Sequence, residues 1–242
     1  MVHCSSKNAF EIGTIDKFCK PTEKSALLDI GSGTGHHVNE FREKKVDAKG
    51  IDISPAMIKK SKTTFPKHSS SYILGNALDT MRFPGNSFTH ITCFYFTIYY
   101  MQDKRKFFSN CMHWLIPGGN LIIHLVDKDK FNPILEAGDP FVLVSPQKYA
   151  DKRITTTEVV FNDFNYKSDF DLKNSGDTAI FREKFKDRKN GSVRKHELTL
   201  HMQDHNTILQ IAKDSGFIVK GKADMMECNY DHQSLYILQK PT

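Results

Sequence analysis

Apolar and polar positions follow two rhythms along this chain. Short, nearly all-apolar runs at residues 26–30 (ALLDI), 46–54 (VDAKGIDIS), 71–74, from 88 and at 120–126 read as strands buried on both faces of a parallel sheet. Segments with helical spacing separate them. One covers residues 6–18, with Phe10, Ile12 or Ile15 and Phe18 on a loose apolar face, and Lys20-Pro21 ends it. A second runs from His36 to about Lys44, and a third starts at Ser54 with Pro55 in its first turn. A fourth, residues 104–115, is capped by Asp103 and carries Phe107, Phe108, Cys111, Met112 and Leu115 on one face. A last helix runs from Asp204 to Gly216, and residues 217–220 and 234–239 supply two more strands. Strand and helix in alternation predict an α/β fold, a doubly wound open sheet of seven strands.

The rhythm changes between residues 128 and 202. ITTTEVVFNDFNY, AIFREKFKD and HELTLHM have strand composition, and Lys189-Asn190-Gly191-Ser192 carries a hairpin turn signal. Consecutive strands without intervening helices predict an antiparallel β insertion after strand five. The chain then divides into a core at 1–127, an insertion at 128–202, and a return of the core at 203–242.

Candidate chemistry sits where the first strand ends. Gly31-Ser32-Gly33-Thr34-Gly35 lets the backbone turn sharply and lets a ligand come close, at the carboxyl edge where open α/β sheets bind nucleotides. A phosphate-binding Walker loop needs Lys-Ser/Thr after the last glycine, whereas His36-His37 follows here. The spacing also differs from the G-x-G-x-x-G of dinucleotide enzymes. Asp52 ends the second strand about 20 residues on, the separation at which a carboxylate takes both ribose hydroxyls of an adenosine.

Four landmarks in order, LLDIGSGTG, GIDIS, GNA and LIPGGNLII, resemble the class I S-adenosylmethionine-dependent methyltransferases from about residue 26 to 127. That resemblance implies a Rossmann-like methyltransferase sheet with S-adenosyl-L-methionine as cofactor. Carried over residue by residue, it assigns Gly31, Ser32, Gly33 and Gly35 to the donor cradle and Asp29 to the donor's amino-acid part. Asp52, with Ile53 and Met57, falls to the ribose side, and Asn76, Ala77 and Leu78 to the adenine side. His37, in a G-T-G-x-H match, and Cys93, Phe94 and Tyr95, after the fourth strand, complete the cofactor set. Two positions depart from the family pattern. Asn76 stands where Asp is usual, though its amide oxygen accepts the same bond, and Thr89 replaces the Asp that often follows Phe88.

Methyltransferases of glycine, sarcosine and amino sugars place a β-rich insertion over the acceptor pocket, sometimes within a dimer interface. LTLHMQDHNTILQIAKDSGF resembles their return into the final helix. The resemblance implies a small-molecule acceptor methylated at an amine, and allows a homodimer through the insertion. His124 interrupts the apolar strand Leu121 to Val126; it is either a core histidine or a group facing the acceptor, where a neutral imidazole can take a proton. His124 and Tyr100 form the expected catalytic set. Tyr95, Tyr99 and Tyr100 are expected in the pocket wall, where ring faces hold a sulfonium or an ammonium, with Phe94 and Phe96 in the core.

Composition narrows the remaining classes. The net charge of +6 over 242 residues is modest, and the clusters Lys59-Lys60-Ser61-Lys62 and Lys104-Arg105-Lys106 read as solvated helix faces. Nucleic acid is the second acceptor class, through an RNA methyltransferase similar to the cap guanine-N7 group. A non-catalytic subunit that binds S-adenosylmethionine is the third reading. Five scattered cysteines without a CxxC spacing read as thiols of a reducing, cytoplasmic compartment. No apolar run approaches the roughly 18 residues of a membrane span, and the N-terminus lacks signal-peptide order. No metal is expected, because Asp204 reads as a cap between His201 and His205 and so separates their rings. Asp139-Pro140-Phe141 faintly resembles a motif of nucleic-acid amino methyltransferases but lies after the wrong strand.

Overall fold

A computed structural model describes residues 5–133, 150–173, 176–228 and 230–242. Its larger sheet has seven strands: β1 (Ala26–Ile30), β2 (Asp47–Asp52), β3 (Tyr72–Leu74), β4 (Phe88–Cys93), β5 (Leu115–Val126), β10 (Ile218–Asp224) and β11 (Gln233–Gln239). They lie in the order β10-β11-β5-β4-β1-β2-β3. Neighbours from β3 to β5 pair parallel, and only β11 runs against its neighbours. The order reverses between β1 and β4, so a crevice opens beyond their carboxyl ends.

Helices cover both faces. On one lie α1 (Ser5–Phe18), α2 (His36–Glu43) and α3 (Pro55–Thr64), over a core that includes Leu27, Val38, Phe41, Ile122 and Leu235. On the other lie α5 (Lys104–Trp114) and α6 (His205–Asp214), over Leu28, Phe107, Phe108, Trp114, Ile123 and Leu125. Side chains alternate along each strand, which splits successive residues between these two cores. The expected caps form: Ser54 Oγ accepts from Met57 N (3.4 Å), Asp103 from Lys106 N (2.9 Å) and Asp204 from Thr207 N (2.9 Å). His201 therefore ends a strand while His205 opens a helix. Among the described residues no helix is long and apolar enough to cross a membrane.

Two boundaries differ from expectation. The helix of residues 104–115 stops at Trp114, and β5 begins at Leu115 rather than Asn120, because the Ile116-Pro117-Gly118-Gly119 turn stays in the sheet as an irregularity in the register with β4. Gly118, with φ +75°, is tied there by its N–H to Lys240 O (3.0 Å). The loop after β4 contains one helical turn, α4 (Thr97–Tyr100).

The expected antiparallel insertion is a second sheet of four strands in sequence order, β6 (Thr156–Val160), β7 (Phe164–Leu172), β8 (Thr178–Asp187) and β9 (Val193–His201). Gly191, with φ +73°, makes the β8–β9 turn possible. One end of this sheet packs on the carboxyl edge of the main sheet. An aromatic chain runs from Phe96, after β4, to Phe131 (5.3 Å between centroids) and on to Phe170 in β7 (5.2 Å). Arg153 lies over both Phe131 and Phe170 and donates to Lys128 O (2.7 Å) and Phe131 O (2.8 Å). Buried Lys104 donates to Met101 O (3.0 Å) and His201 O (2.9 Å), and burial pushes its ammonium down to about 8. Asp139, Pro140 and Phe141 lie outside the described residues.

Candidate active site

The glycine-rich turn hangs from the end of β1. Gly31 N and Ser32 N both donate to Ile51 O (2.8 and 3.1 Å), which folds the turn back across β2. Gly31 has φ +71°, and a Cβ there would stand 2.4 Å from Thr97 Oγ1. At Gly35, φ +86°, it would stand 2.5 Å from the Tyr72 ring. Both positions exclude a side chain on backbone and steric grounds. Asp52 holds the turn from the second strand: Oδ2 accepts from Gly33 N (2.9 Å) and Oδ1 from Ser54 N (2.8 Å). A carboxylate with several lone pairs per pair of oxygens keeps acceptor capacity toward the crevice. Around it Ile53 is 69% exposed and Leu74 48% exposed, an apolar surface of the kind that takes a planar ring.

Asn76 places its Oδ1 on Leu78 N (2.9 Å), so part of the acceptor capacity expected to face adenine serves the local turn. Ala77 is buried, and its carbonyl accepts from Asn110 Nδ2 (2.9 Å). Leu78 and Met57 are half-buried near this side. Cys93 packs into the α5-side core with no exposure, and burial first, then Asp29, raises its thiol. The cofactor set therefore gains only backbone from this residue. Phe94 faces the other way, against the His37 ring (4.9 Å). Tyr95 has φ +54° and offers its ring to Lys7 Nζ (5.5 Å). Tyr99 is fully buried, its hydroxyl accepting from Val126 N (2.8 Å), which makes it a clasp for the end of β5 rather than the expected pocket wall. Tyr100, at the end of α4, is 47% exposed.

Asp29 has little company. It is 2% exposed, and its carboxylate accepts from Thr92 Oγ1 (2.7 Å). Burial pushes its carboxyl up to about 6 against the opposing pull of His37 and Thr92. A buried carboxylate held this high lacks a full cationic partner, which an ammonium group would supply.

The helix α1 brings residues the sequence pattern did not single out. Its apolar face is thinner than expected, with Phe18 44% exposed, while Lys7, Asn8, Glu11 and Thr14 are buried alongside Ile12 and Ile15. Glu11 accepts from Lys7 Nζ (2.6 Å) and bonds His37 Nε2 (2.8 Å). Burial alone would raise Glu11, but Lys7 and His37 hold its carboxyl down at about 2. Burial lowers His37, and Glu11 more than reverses it, so the imidazole lies above its ordinary value. The Lys7–Glu11 spacing of four was a legible helical pair; its burial and its bond to His37 were not.

His124 lies beneath this cluster, fully buried, with Nδ1 4.0 Å from Glu11 Oε1. Ile123 and Leu125 turn to the α5 side, as alternation requires. The ring does not line an open pocket, because α1 seals it. Burial pushes it down to about 4, so it is neutral and a weak proton acceptor in this arrangement. The role of proton-accepting base expected for it loses support on that ground.

These features fit S-adenosylmethionine: an under-partnered Asp29 for the ammonium, Asp52 and its apolar flank for the nucleoside, and glycines where a Cβ would collide. The methyltransferase domain family matches residues 28–123. An aminotetradeoxyglucose N,N-dimethyltransferase of Saccharopolyspora spinosa is 33% identical over 104 residues, 42% of this chain and 40% of that one. Phosphoethanolamine N-methyltransferase of Plasmodium falciparum is 28% identical over 138 residues, 53% of this chain and 52% of that one. The chain thus spans about half or less of the length of these relatives. Among solved structures, an S-adenosylmethionine-dependent methyltransferase from Clostridium acetobutylicum superposes with a TM-score of 0.73 at 14% identity, covering 100% of this chain and 93% of that one. A sugar N-methyltransferase from Streptoalloteichus gives 0.69 at 16%, covering 98% and 88%. Residues 28–123 match the methyltransferase domain family, and the described chain has the fold of the S-adenosylmethionine-dependent methyltransferases.

Proposed function

We propose that this protein transfers a methyl group from S-adenosylmethionine to an amine of a small molecule. The observation that carries the reading is the pair of carboxylates flanking the glycine turn: Asp52 bonded to Gly33 N, and Asp29 buried without a full partner. The bound donor supplies an electrophilic methyl already activated by its positive charge. The chain's own work is then alignment. Asp29 takes the donor's ammonium, Asp52 its ribose hydroxyls, and Asn76 its adenine edge through remaining acceptor capacity. The insertion roofs the acceptor side through Phe96, Phe131 and Phe170, excluding water from the transfer.

The acceptor class follows from where cations lie. Lys184, Lys186, Arg188, Lys189, Arg194 and Lys195 crowd one end of the β8–β9 hairpin, where Asp187 and Asp163 of the β6–β7 turn are the acidic neighbours. The opposite end, where Thr178 pairs with His201, packs on the core. Six to eight residues of strand separate the two, roughly 20–25 Å, so this cluster does not line the carboxyl edge. The edge itself carries Tyr95, Phe96 and Tyr100, a surface suited to a compact amine. The likeness to amino-sugar and phosphoethanolamine methyltransferases over parts of the chain supports the same class.

The test has two steps. Calorimetry measures S-adenosylmethionine binding, and labelled-methyl transfer is then scored on amino sugars, phosphoethanolamine and RNA. Binding with transfer to a small amine is expected. Transfer to RNA alone would replace the acceptor class, and absence of donor binding would refute the reading.

A further inference from the structure

The sheet β6 to β9 has an inner face toward the core and an outer face in water. Tyr166, Ser168, Phe170, Ala179 and Leu200 are buried on the inner face, and their strand neighbours point outward, because side chains alternate. Near the core the outer face is charge-balanced. Arg182 there pairs with Glu197 (2.9 Å), Asp169 (3.2 Å) and Asp171 (3.5 Å). One row further out the balance fails. Register places Lys167, Lys184 and Lys195 directly opposite one another on three adjacent strands. Glu158 ends this row, 3.7 Å from Lys167, and among the described residues no ion pair reaches Lys184 or Lys195. The next row holds Val160, Asn165, Lys186 and Val193, with the two valines 64% and 47% exposed. Arg188 and Lys189 follow in the turn, where Asp163 lies 3.7 Å from Lys189.

Like charges directly opposite one another destabilise a sheet. Adjacent strands lie about 4.8 Å apart, so the three lysines form a short line of charge that one small counter-ion does not neutralise. A partner with many evenly spread negative charges does. We propose that this outer face docks on the surface of an acidic phospholipid bilayer, with the lysine row on the headgroups and Val160 and Val193 reaching between them. The proposal goes beyond the methyl-transfer reading and does not rest on it.

Two features favour lipid over nucleic acid. Proteins that track single strands add aromatic platforms to a basic path. The outward positions of β6 to β9 carry no Phe, Tyr or Trp, because Phe164, Tyr166, Phe170, Phe181 and Phe185 all belong to the inner face. The exposed valines flank Lys186 at the two ends of its row, where they offer apolar contact at the headgroup boundary. Each basic residue close to an acidic leaflet strengthens binding about fivefold, so Lys167, Lys184, Lys186 and Lys195 together supply several hundredfold. The inner face packs on the core, so a bilayer against the outer face leaves the glycine turn and Asp52 uncovered.

The test is co-sedimentation of the full chain with vesicles of phosphatidylcholine alone, or with about one third phosphatidylserine, from about 0.05 to 0.5 M salt. Binding is expected only to the acidic vesicles and should be largely lost at the highest salt. Lys184→Gln should weaken it about fivefold, and Lys184→Gln with Lys195→Gln about 25-fold. The melting temperature should hold or rise in both, because like charge leaves the row. Lys59→Gln with Lys60→Gln, an equal loss of charge from exposed positions on α3, should leave vesicle binding unchanged. Val160→Ser should weaken binding without altering its salt slope. Equal binding to neutral vesicles, or equal loss on changing Lys59 and Lys60, would overturn the proposal. So would salt-sensitive binding to RNA but not to vesicles, or a dimer in light scattering that Lys184→Gln dissolves while vesicles go unbound. The assay needs neither donor nor acceptor, so its failure would leave the proposed methyl transfer standing.

Discussion

Replacing Glu11 with Gln should be among the most damaging single changes outside the apolar core. The carboxylate is fully buried and carries two short charge-assisted bonds, 2.6 Å to Lys7 and 2.8 Å to His37. A glutamine of the same shape keeps one acceptor but turns an N–H₂ toward a cation, leaving Lys7 or His37 buried and unpaired. Breaking one partner of a buried pair costs about 3–5 kcal/mol. At roughly 2–4 °C per kcal/mol for a chain of this size, calorimetric melting should fall by about 6–20 °C. Acid behaviour gives an independent measure. Glu11 goes from 4.5 to about 2 on folding, so its contribution is fully present above pH 4.5 and disappears as pH falls through 2. The shift corresponds to about 3 kcal/mol. Urea unfolding of wild type and Glu11→Gln from pH 7 to pH 2 should therefore converge toward the acid end. Equal melting temperatures and parallel acid profiles would show that α1 is not held by this cluster.

Asp29→Asn should act in the opposite direction on stability. Its folded carboxyl lies near 6 against 3.8, so the native state loses stability as pH rises through 6; removing the charge should gain up to about 3 kcal/mol at pH 8 in urea unfolding while weakening S-adenosylmethionine. Asp52→Ala removes the bonds to Gly33 N and Ser54 N as well as the ribose acceptors. Donor affinity should fall by about 1.5–3 kcal/mol for each charge-assisted bond lost, measured by calorimetry, and unchanged affinity would move the nucleoside elsewhere. Lys104→Met leaves Met101 O and His201 O without their donor, so limited proteolysis should cut the insertion faster while β1–β5 keep their hydrogen-exchange protection; identical digestion would show that Phe131 and Arg153 suffice to hold it.

Much of this architecture was legible in the residues because it depends on neighbours in sequence. Apolar runs and helical spacing mark strands and helices, Ser54, Asp103 and Asp204 announce helix starts, and three glycines in five residues announce a ligand-sized turn. Consecutive strand-like segments with Asn190-Gly191 likewise announce the second sheet. Each is a local preference of the backbone, which tertiary packing had no reason to override. The rest required knowing which faces meet. Residues 115–119 read as a turn because Pro and Gly discourage strands locally, yet pairing with β4 and the tie to Lys240 keep them in the sheet. Glu11 and His37 are 26 positions apart, and nothing in either stretch announces their bond. Tyr99 and Tyr100 are chemically alike and adjacent, but the turn of α4 buries one on Val126 and leaves the other half exposed. His124 stood out as a polar ring in an apolar strand; that it lies sealed under α1 beside Gln233 follows from β11 pairing with β5 from more than a hundred residues away. Local chemistry settles the elements and the turn between them. Only long-range packing decides which polar groups are buried and what they pair with, because desolvation is a property of the whole packed molecule.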